Sequence, residues 1–368
     1  MYDKKLRIGF IGLGSVAHMK HLPSLAKYPE QCELVAFCDL DREKAQKAAD
    51  QYGTADAKVY TDYHQMLKEA DIDVVHVLTH NSAHCEATVA CFEAGKHVMC
   101  EKPMAVSSEE AKRMIDAWKK SGKKFTIGYQ NRFRPEIQMM HQACEDGDLG
   151  EIYFAKAHAV RRRGVPVWGV FCDKEKQGGG PLIDIGTHAL DITLWMMDNY
   201  EPYSVSGITY DKLRNKPEGN NGGPWNPEKM EVEDSAFGLI KMKNGSSIFL
   251  EASWALNTRL EKQACATLYG TKGGAEIEND KSPNRGTCVI NDVRYGALGE
   301  YRPSQKGEID MFKSDGEKPG VIEAGQWLDA ILHDTDPLVM PEQAFVVTQI
   351  LEGIYKSAES GKEYFFLI

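Results

Sequence analysis

The sequence predicts an α/β protein in two parts: an N-terminal doubly wound parallel sheet, then a C-terminal α+β domain with a large, mostly antiparallel open sheet. Three observations predict it. Short apolar runs alternate with amphipathic helical stretches as far as Gly128, and a glycine-rich turn follows the first run. Beyond Gly150 the runs change to strands of alternating polarity. At 368 residues the chain is too long for one ordinary core, and the boundary is expected at 128, giving domains 1–128 and 129–368.

In the first part, Leu6–Ile11 reads as a strand followed by a helical stretch through His18–Lys27. Leu34–Cys38, Val74–Leu78, Val98–Cys100 and Phe125–Gly128 read as further strands, with helices over Arg42–Tyr52, His84–Ala94 and Ser108–Lys120. The strands are nearly continuous apolar runs, as in Val74-Val75-His76-Val77-Leu78, which suits a sheet covered on both faces by right-handed βαβ units. In the second part Ile152–Val160, Ser235–Met242 and Ser246–Ser253 alternate in polarity. Lys243-Asn244-Gly245-Ser246 marks a hairpin between the last two. Helices are expected over Ile183–Met197, Gly320–His333 and Pro341–Ser360, the last stopped by Gly361, and Pro217–Pro227 reads as a polar loop insertion.

Composition excludes several classes of function. The net charge of −10 argues against a nucleic-acid partner, since phosphate neutralisation needs a basic surface. The one dense basic run, Arg161-Arg162-Arg163, suits a single small ligand. No stretch approaches the roughly 20 apolar residues of a membrane span, so no membrane partner is expected. Nine cysteines without a Cys-x-x-Cys pair fit reduced thiols and a cytoplasmic location.

The chemistry begins at Gly12-Leu13-Gly14-Ser15-Val16-Ala17, which closes a strand and opens a helix. That context makes the motif a Rossmann dinucleotide site: Gly12 for the tight turn, Gly14 for close approach of the pyrophosphate, Ala17 for helix–strand packing. The N–H groups of the helix start, at Ser15 and Val16, face the anion. Asp39 ends the second strand, 22 residues after Ala17, where a carboxylate accepts from ribose hydroxyls. A 2′-phosphate at about 4 Å would cost on the order of 4 kcal/mol at an effective dielectric near 20, so Asp39 points to NAD rather than NADP. Arg42 stands near enough either to pair with a phosphate or to cap the next helix.

Glu101-Lys102-Pro103 falls at a strand end, on the edge where doubly wound sheets bind ligands, and proline holds Lys102 extended. In Gly178-Gly179-Gly180-Pro181-Leu182-Ile183-Asp184-Ile185-Gly186-Thr187-His188-Ala189-Leu190-Asp191, a helix would place Asp184, His188 and Asp191 on one face. Carboxylate and imidazole there make an acid–base pair, and the three glycines would allow close approach of a ligand or of the other domain. The spacing of His76, His80 and His84 by four does not make a metal site, because His76 lies in a strand; no metal is expected. Cys100 reads as a small buried thiol, and His18 and His21 lie on the first helix without an assigned role.

In these motifs, together with Val232-Glu233-Asp234-Ser235-Ala236, Tyr269-Gly270-Thr271-Lys272-Gly273 and Ile354–Lys362, the chain resembles the Gfo/Idh/MocA oxidoreductases over essentially its whole length. This is the glucose–fructose oxidoreductase and inositol dehydrogenase group. The resemblance implies hydride transfer between nicotinamide and a secondary hydroxyl of a sugar, polyol or glycoside. Lys102, Asp184 and His188 match its catalytic positions, with His188 as base and Lys102 holding the oxygen, or Lys102 itself as base. Thr79, Asn81 and His84 match the stretch lining the cofactor, although His80 stands where the family often has proline. Glu101, Lys102, Asn131 and Trp168 are expected at the cofactor too, where the Trp168 plane can also meet a sugar face. Tyr129, Arg132, Arg161 and Arg162 are expected at the substrate with Asp184 and His188, over the antiparallel sheet. A homodimer or homotetramer is implied as well. Two rivals share the fold: a redox-assisted glycosidase or isomerase that keeps NAD bound, and a non-catalytic sensor of sugar or NAD.

Overall fold

The computed structural model describes residues 5–279, 286–303 and 317–366. Two compact units divide the chain: Met1–Gln130 with Ser314–Phe345, and Asn131–Lys313 with Val346–Ile368. The α-helices among the described residues are α1 (Leu22–Leu25), α2 (Arg42–Tyr52), α3 (Tyr63–Glu69), α4 (His84–Glu93), α5 (Ser108–Ser121), α6 (Pro135–Glu145), α7 (Lys174–Gln177), α8 (Thr187–Met197), α9 (Pro319–Leu332) and α10 (Pro341–Ser360).

In the first unit β1 (Leu6–Ile11), β2 (Cys32–Cys38), β3 (Lys58–Tyr60), β4 (Val74–Val77), β5 (His97–Cys100) and β6 (Phe125–Ile127) form a parallel sheet in the order β3-β2-β1-β4-β5-β6. The order reverses between β1 and β4, the switch point at which such sheets take ligands beyond their carboxyl ends. Every residue of β4 is buried, as its apolar run requires. The first helix departs from the expected one. It begins near Ser15, passes through a π-helical segment at Ala17–His21 and ends as α1. Strand β3 and helix α3 were not legible: Lys-Val-Tyr is too short to display a period.

The division also departs from a single boundary at 128, because 314–345 returns to the first unit. Apolar burial explains the return: Ala324, Trp327 and Leu328 of α9 join Ile8, Phe10, Leu22 and Leu25 in one core cluster. Farther along, the Thr126 hydroxyl donates to the Val339 carbonyl at 3.0 Å.

The second unit holds β7 (Ile152–Val160), β8 (Pro202–Tyr210), β9 (Ser235–Met242), β10 (Ser247–Ser253), β11 (Lys262–Gly270), β12 (Gly273–Asn279), β13 (Gly286–Arg294), β14 (Ala297–Tyr301) and β15 (Tyr364–Phe365). They form one open sheet in the order β14-β13-β12-β11-β7-β10-β9-β8-β15, antiparallel except where β7 meets β10. Gly245 turns the β9–β10 hairpin at φ 91°. Along β7, Ala155, Ala157 and Ala159 are fully buried, and these small side chains let α8 lie against β7 and β11. No helix among the described residues is long and apolar enough to cross a membrane, and all nine cysteines are free thiols.

Trp327 tests the return of α9. Trp327→Ala empties a site that is 1% exposed, and the expected loss is about 3–5 kcal/mol of unfolding free energy, read by urea denaturation.

Candidate functional site

In the first unit the chain leaves β1 through Gly12, whose φ of 91° suits only glycine. A Cβ there would also lie 2.8 Å from the Leu78 carbonyl. At Gly14 the opposite holds: a Cβ would meet nothing within 4 Å, so the backbone is open to a bound group. Gly14 and Ser15 are exposed, Val16 is half-buried, and Ala17 packs in the core. An open backbone at a helix start fits a pyrophosphate. Asp39 is tied to this loop. Its Oδ2 accepts the Leu13 N–H at 2.7 Å and its Oδ1 accepts the Asp41 N–H at 2.9 Å. A carboxylate has about four acceptor sites, which leaves capacity for ribose hydroxyls. Asp41, not Arg42, caps α2, through the Glu43 N–H at 3.0 Å; Arg42 is simply exposed.

Thr79 and Asn81 follow β4, half-buried and buried respectively. His84 departs from its expected place. It is fully buried, with Nδ1 2.8 Å from the Pro103 carbonyl and Nε2 3.2 Å from the Thr79 carbonyl. Burial lowers its pKa. His84 therefore braces the two loops and offers no face to a cofactor. Lys102 is half-buried, in a bend beyond β5, and a cis peptide joins it to Pro103. The Glu101 side chain also turns inward. Its Oε1 accepts from Lys20 Nζ at 2.7 Å and lies 2.8 Å from His21 Nε2, while Oε2 accepts the Lys102 N–H at 3.1 Å. That carboxylate is engaged inside the protein and not with a ligand. Cys100 is buried, and burial pushes its thiol up, as expected of an inert core cysteine.

In the second unit Asp184 lies in a π-helical segment, Leu182–Gly186, that runs directly into α8. Trp254, fully buried at the end of β10, donates its indole N–H to Asp184 Oδ2 at 2.9 Å. Asp184 and His188 are both half-buried. Asp191 does not join them: it is fully buried and held by Arg132 at 2.6–3.2 Å, with Trp195 beneath the guanidinium. The same pair corrects the expectation for Arg132, whose guanidinium is committed to Asp191 and is 0% exposed. Tyr129, in the first unit, is likewise fully buried.

Asn131 is half-buried, and Trp168 is exposed and packs edge-on to Phe171. Arg161 spends its guanidinium on Gln263 Oε1 at 2.8 Å and the Gly164 carbonyl at 3.0 Å. Arg162 is exposed beside a polar cleft that Arg163, Glu218, Asn221, Asn257 and Glu261 also line.

The space beside Gly179 and Gly180 is filled by residues of the second unit. A Cβ at Gly179 would lie 2.1 Å from the Tyr355 hydroxyl, and one at Gly180 would lie 2.4 Å from the Glu233 carbonyl. The Glu233 carboxylate accepts from the N–H groups of Gly180 (3.0 Å) and Leu182 (3.3 Å) and from the Tyr355 hydroxyl (2.7 Å). It thus caps the helical run that carries Asp184 and His188. Burial raises the Glu233 pKa against these hydrogen bonds, and burial with the Glu233 charge raises Tyr355 well above the usual phenol range. Glu233, Tyr355 and Trp254 had no assigned role in the sequence. Two lay in motifs quoted for the resemblance, and only tertiary contact shows what they touch.

Two matches and one full-length relative decide the family. Residues 6–129 match "Oxidoreductase family, NAD-binding Rossmann fold" and residues 137–276 match "GFO/IDH/MocA C-terminal domain". The D-glucoside 3-dehydrogenase of Escherichia coli is 36% identical over 361 residues, 98% of this chain and 97% of that protein. The chain belongs to the GFO/IDH/MocA oxidoreductases. Another relative is the inositol 2-dehydrogenase of Salmonella typhimurium, 30% identical over 202 residues, 54% of this chain and 57% of that protein. Among solved structures, levoglucosan dehydrogenase in complex with NADH and levoglucosan has the same fold, with a TM-score of 0.81 at 22% identity, covering 98% of this chain and 99% of that one. The glycine loop and Asp39 lie within the part of the chain that matches the NAD-binding Rossmann model.

Two measurements probe these supports. Tyr355→Phe removes a hydrogen bond to a half-buried carboxylate and is expected to lower the unfolding free energy by about 1.5–3 kcal/mol, read by urea denaturation. Glu323, buried beside Lys20 at 2.8 Å, is pushed by burial up to about 7, with the Lys20 charge pulling the other way. The folded protein then holds this proton more tightly than the unfolded chain. The contribution of Glu323 to stability therefore declines as pH rises from 4.5 through about 7. Glu323→Gln should flatten that part of the pH–stability curve; melting temperatures at pH 5 and pH 8 that shift equally for both proteins would exclude it.

Proposed function

We propose that this protein is an NAD-linked dehydrogenase acting on a secondary hydroxyl of a sugar, polyol or glycoside, with Lys102, Asp184 and His188 as its catalytic residues. The observation that carries the catalytic reading is the Trp254–Asp184 bond of 2.9 Å, which fixes a carboxylate four positions before His188 in one helical run. The 36% identity along 98% of the chain to a D-glucoside dehydrogenase makes glycosides the first substrates to test.

NAD, when bound, supplies the hydride acceptor. Gly12, Gly14, Ser15, Val16 and Ala17 hold its pyrophosphate end, Asp39 its ribose, and Thr79, Asn81, Asn131 and Trp168 the remainder. His188 takes the hydroxyl proton of the substrate, and Lys102 holds and polarises the same oxygen as it gains carbonyl character. Asp184, oriented by Trp254, keeps the imidazole or a neighbouring hydroxyl in place. Arg162, with its exposed side chain, remains a substrate contact in this reading; Arg132 and Arg161 do not.

Nine free thiols support a reducing, cytoplasmic setting. Ile208 and Leu239, 45% and 40% exposed on one face of the large sheet, support self-association through that face as a dimer or tetramer.

A panel of methyl glucosides, free sugars and inositols with NAD and NADP, followed at the nicotinamide absorbance, tests the activity. Turnover with NAD and a glycoside is expected, and silence across the panel would sink the reading. Lys102→Ala and His188→Ala should each lower kcat by about 10³-fold or more, and Trp254→Phe by about 10-fold.

A further inference from the structure

The first unit buries five ionisable side chains in one connected chain. Lys20, 9% exposed, places its ammonium 2.7 Å from Glu101 Oε1 and 2.8 Å from Glu323 Oε2. His21 Nε2 is 2.8 Å from the same Glu101 oxygen, and His21 Nδ1 is 3.0 Å from His76 Nδ1. The tautomers follow from these contacts. Glu101 is an acceptor, so His21 Nε2 carries the hydrogen; His21 Nδ1 is then an acceptor and His76 Nδ1 the donor. His76 Nε2 is left as a bare lone pair with no partner among the described residues, and burial lowers the pKa of both rings.

Lys20 is thus the cation that Glu101 depends on. Burial alone would raise Glu101, but the Lys20 charge and the His21 hydrogen bond outweigh it and hold the carboxyl well below its usual range. The second Glu101 oxygen accepts the Lys102 N–H at 3.1 Å. Both residues lie in the π-helical segment Ala17–His21, where Lys20 and His21 are buried and Met19 is exposed. Room is kept at the far side by Gly128, where a Cβ would lie 2.9 Å from Glu101 Oε1 and 3.2 Å from Lys20 Nζ.

We propose that Lys20 is a positioning residue for Lys102: through Glu101 it ties the helix of the glycine motif to the backbone amide of Lys102, so that the cofactor loop and the proposed oxygen-holding lysine share one buried ionic tether. The inference rests on the role proposed for Lys102, but the tether has its own readout. Lys20 touches neither substrate nor reacting atoms in this account. It acts by keeping Glu101 ionised and aimed at the Lys102 N–H.

The test uses the full chain with Lys20→Met, Lys20→Arg and Lys102→Ala. Hydrogen exchange at the Lys102 amide should accelerate at least about 10-fold in Lys20→Met and return towards the wild-type rate in Lys20→Arg. With methyl glucoside and NAD, Lys20→Met should lose about 10²-fold in kcat, and the acid limb of kcat/KM should move up by a pH unit or more. That limb moves because Glu101, deprived of its cation, protonates at higher pH. Glu323, His21 and His76 face the same site, so Glu323→Gln is run beside it and should leave the acid limb in place. A folded Lys20→Met with wild-type amide exchange and pH profile would overturn the tether. If that variant does not fold, the double variant Lys20→Met/Glu101→Gln, which removes both buried charges together, replaces it: faster exchange at Lys102 supports the tether and an unchanged rate overturns it. A Lys102→Ala protein with full turnover would sink the catalytic reading alone, leaving amide exchange to decide the tether.

Discussion

A single ammonium group holds together three parts of the chain that are far apart in sequence. Lys20 comes from the turn after β1, Glu101 from the end of β5, and Glu323 from α9, and the three meet with almost no exposure. Taking a lysine out of water is costly unless its charge is met at close range, so this site forms only when all three segments are in register. That requirement bears on the whole first unit. It locks the glycine loop against the segment after β5 that carries Lys102, and it gives α9 an electrostatic reason, beside its apolar one, to return to the first sheet.

The second unit reaches a similar end by a different route. Glu233 is a half-buried carboxylate held by hydrogen bonds. Two backbone N–H groups and a phenol satisfy it, and the positive end of the helical run adds to them. In both units a carboxylate that touches no ligand in the proposed mechanism fixes the segment bearing the residues that do. In both, a glycine clears the space it needs: Gly128 beside Glu101, and Gly179 and Gly180 beside Tyr355 and Glu233.

The doubly wound parallel sheet was legible because βαβ alternation permits few topologies and each apolar run matched a buried strand. The glycine motif was legible because its meaning depends only on neighbours in sequence. Long-range pairing escaped. Arg132 looked like a ligand-binding arginine, since nothing nearby announces that Asp191, 59 residues on, claims it. The glycines at 178–180 looked like room for a ligand, although the occupants come from residues 233 and 355. Lys20 and His21 were hidden because the groups they meet, Glu101, Glu323 and His76, lie far away in sequence.

The bond between Asp39 and Leu13 has a consequence for cofactor engineering. The carboxylate proposed to read the ribose is also a strut of the loop proposed to hold the pyrophosphate, since its Oδ2 takes the Leu13 N–H at 2.7 Å. Placing a small neutral or basic residue at 39 to welcome a 2′-phosphate would withdraw that acceptor and loosen the loop at the same stroke. Coenzyme preference and loop shape are therefore one inherited trait here. A designer, or a lineage drifting towards NADP, must supply a second acceptor for Leu13 before Asp39 can be surrendered; asparagine, which keeps an amide oxygen in place, is the natural first step.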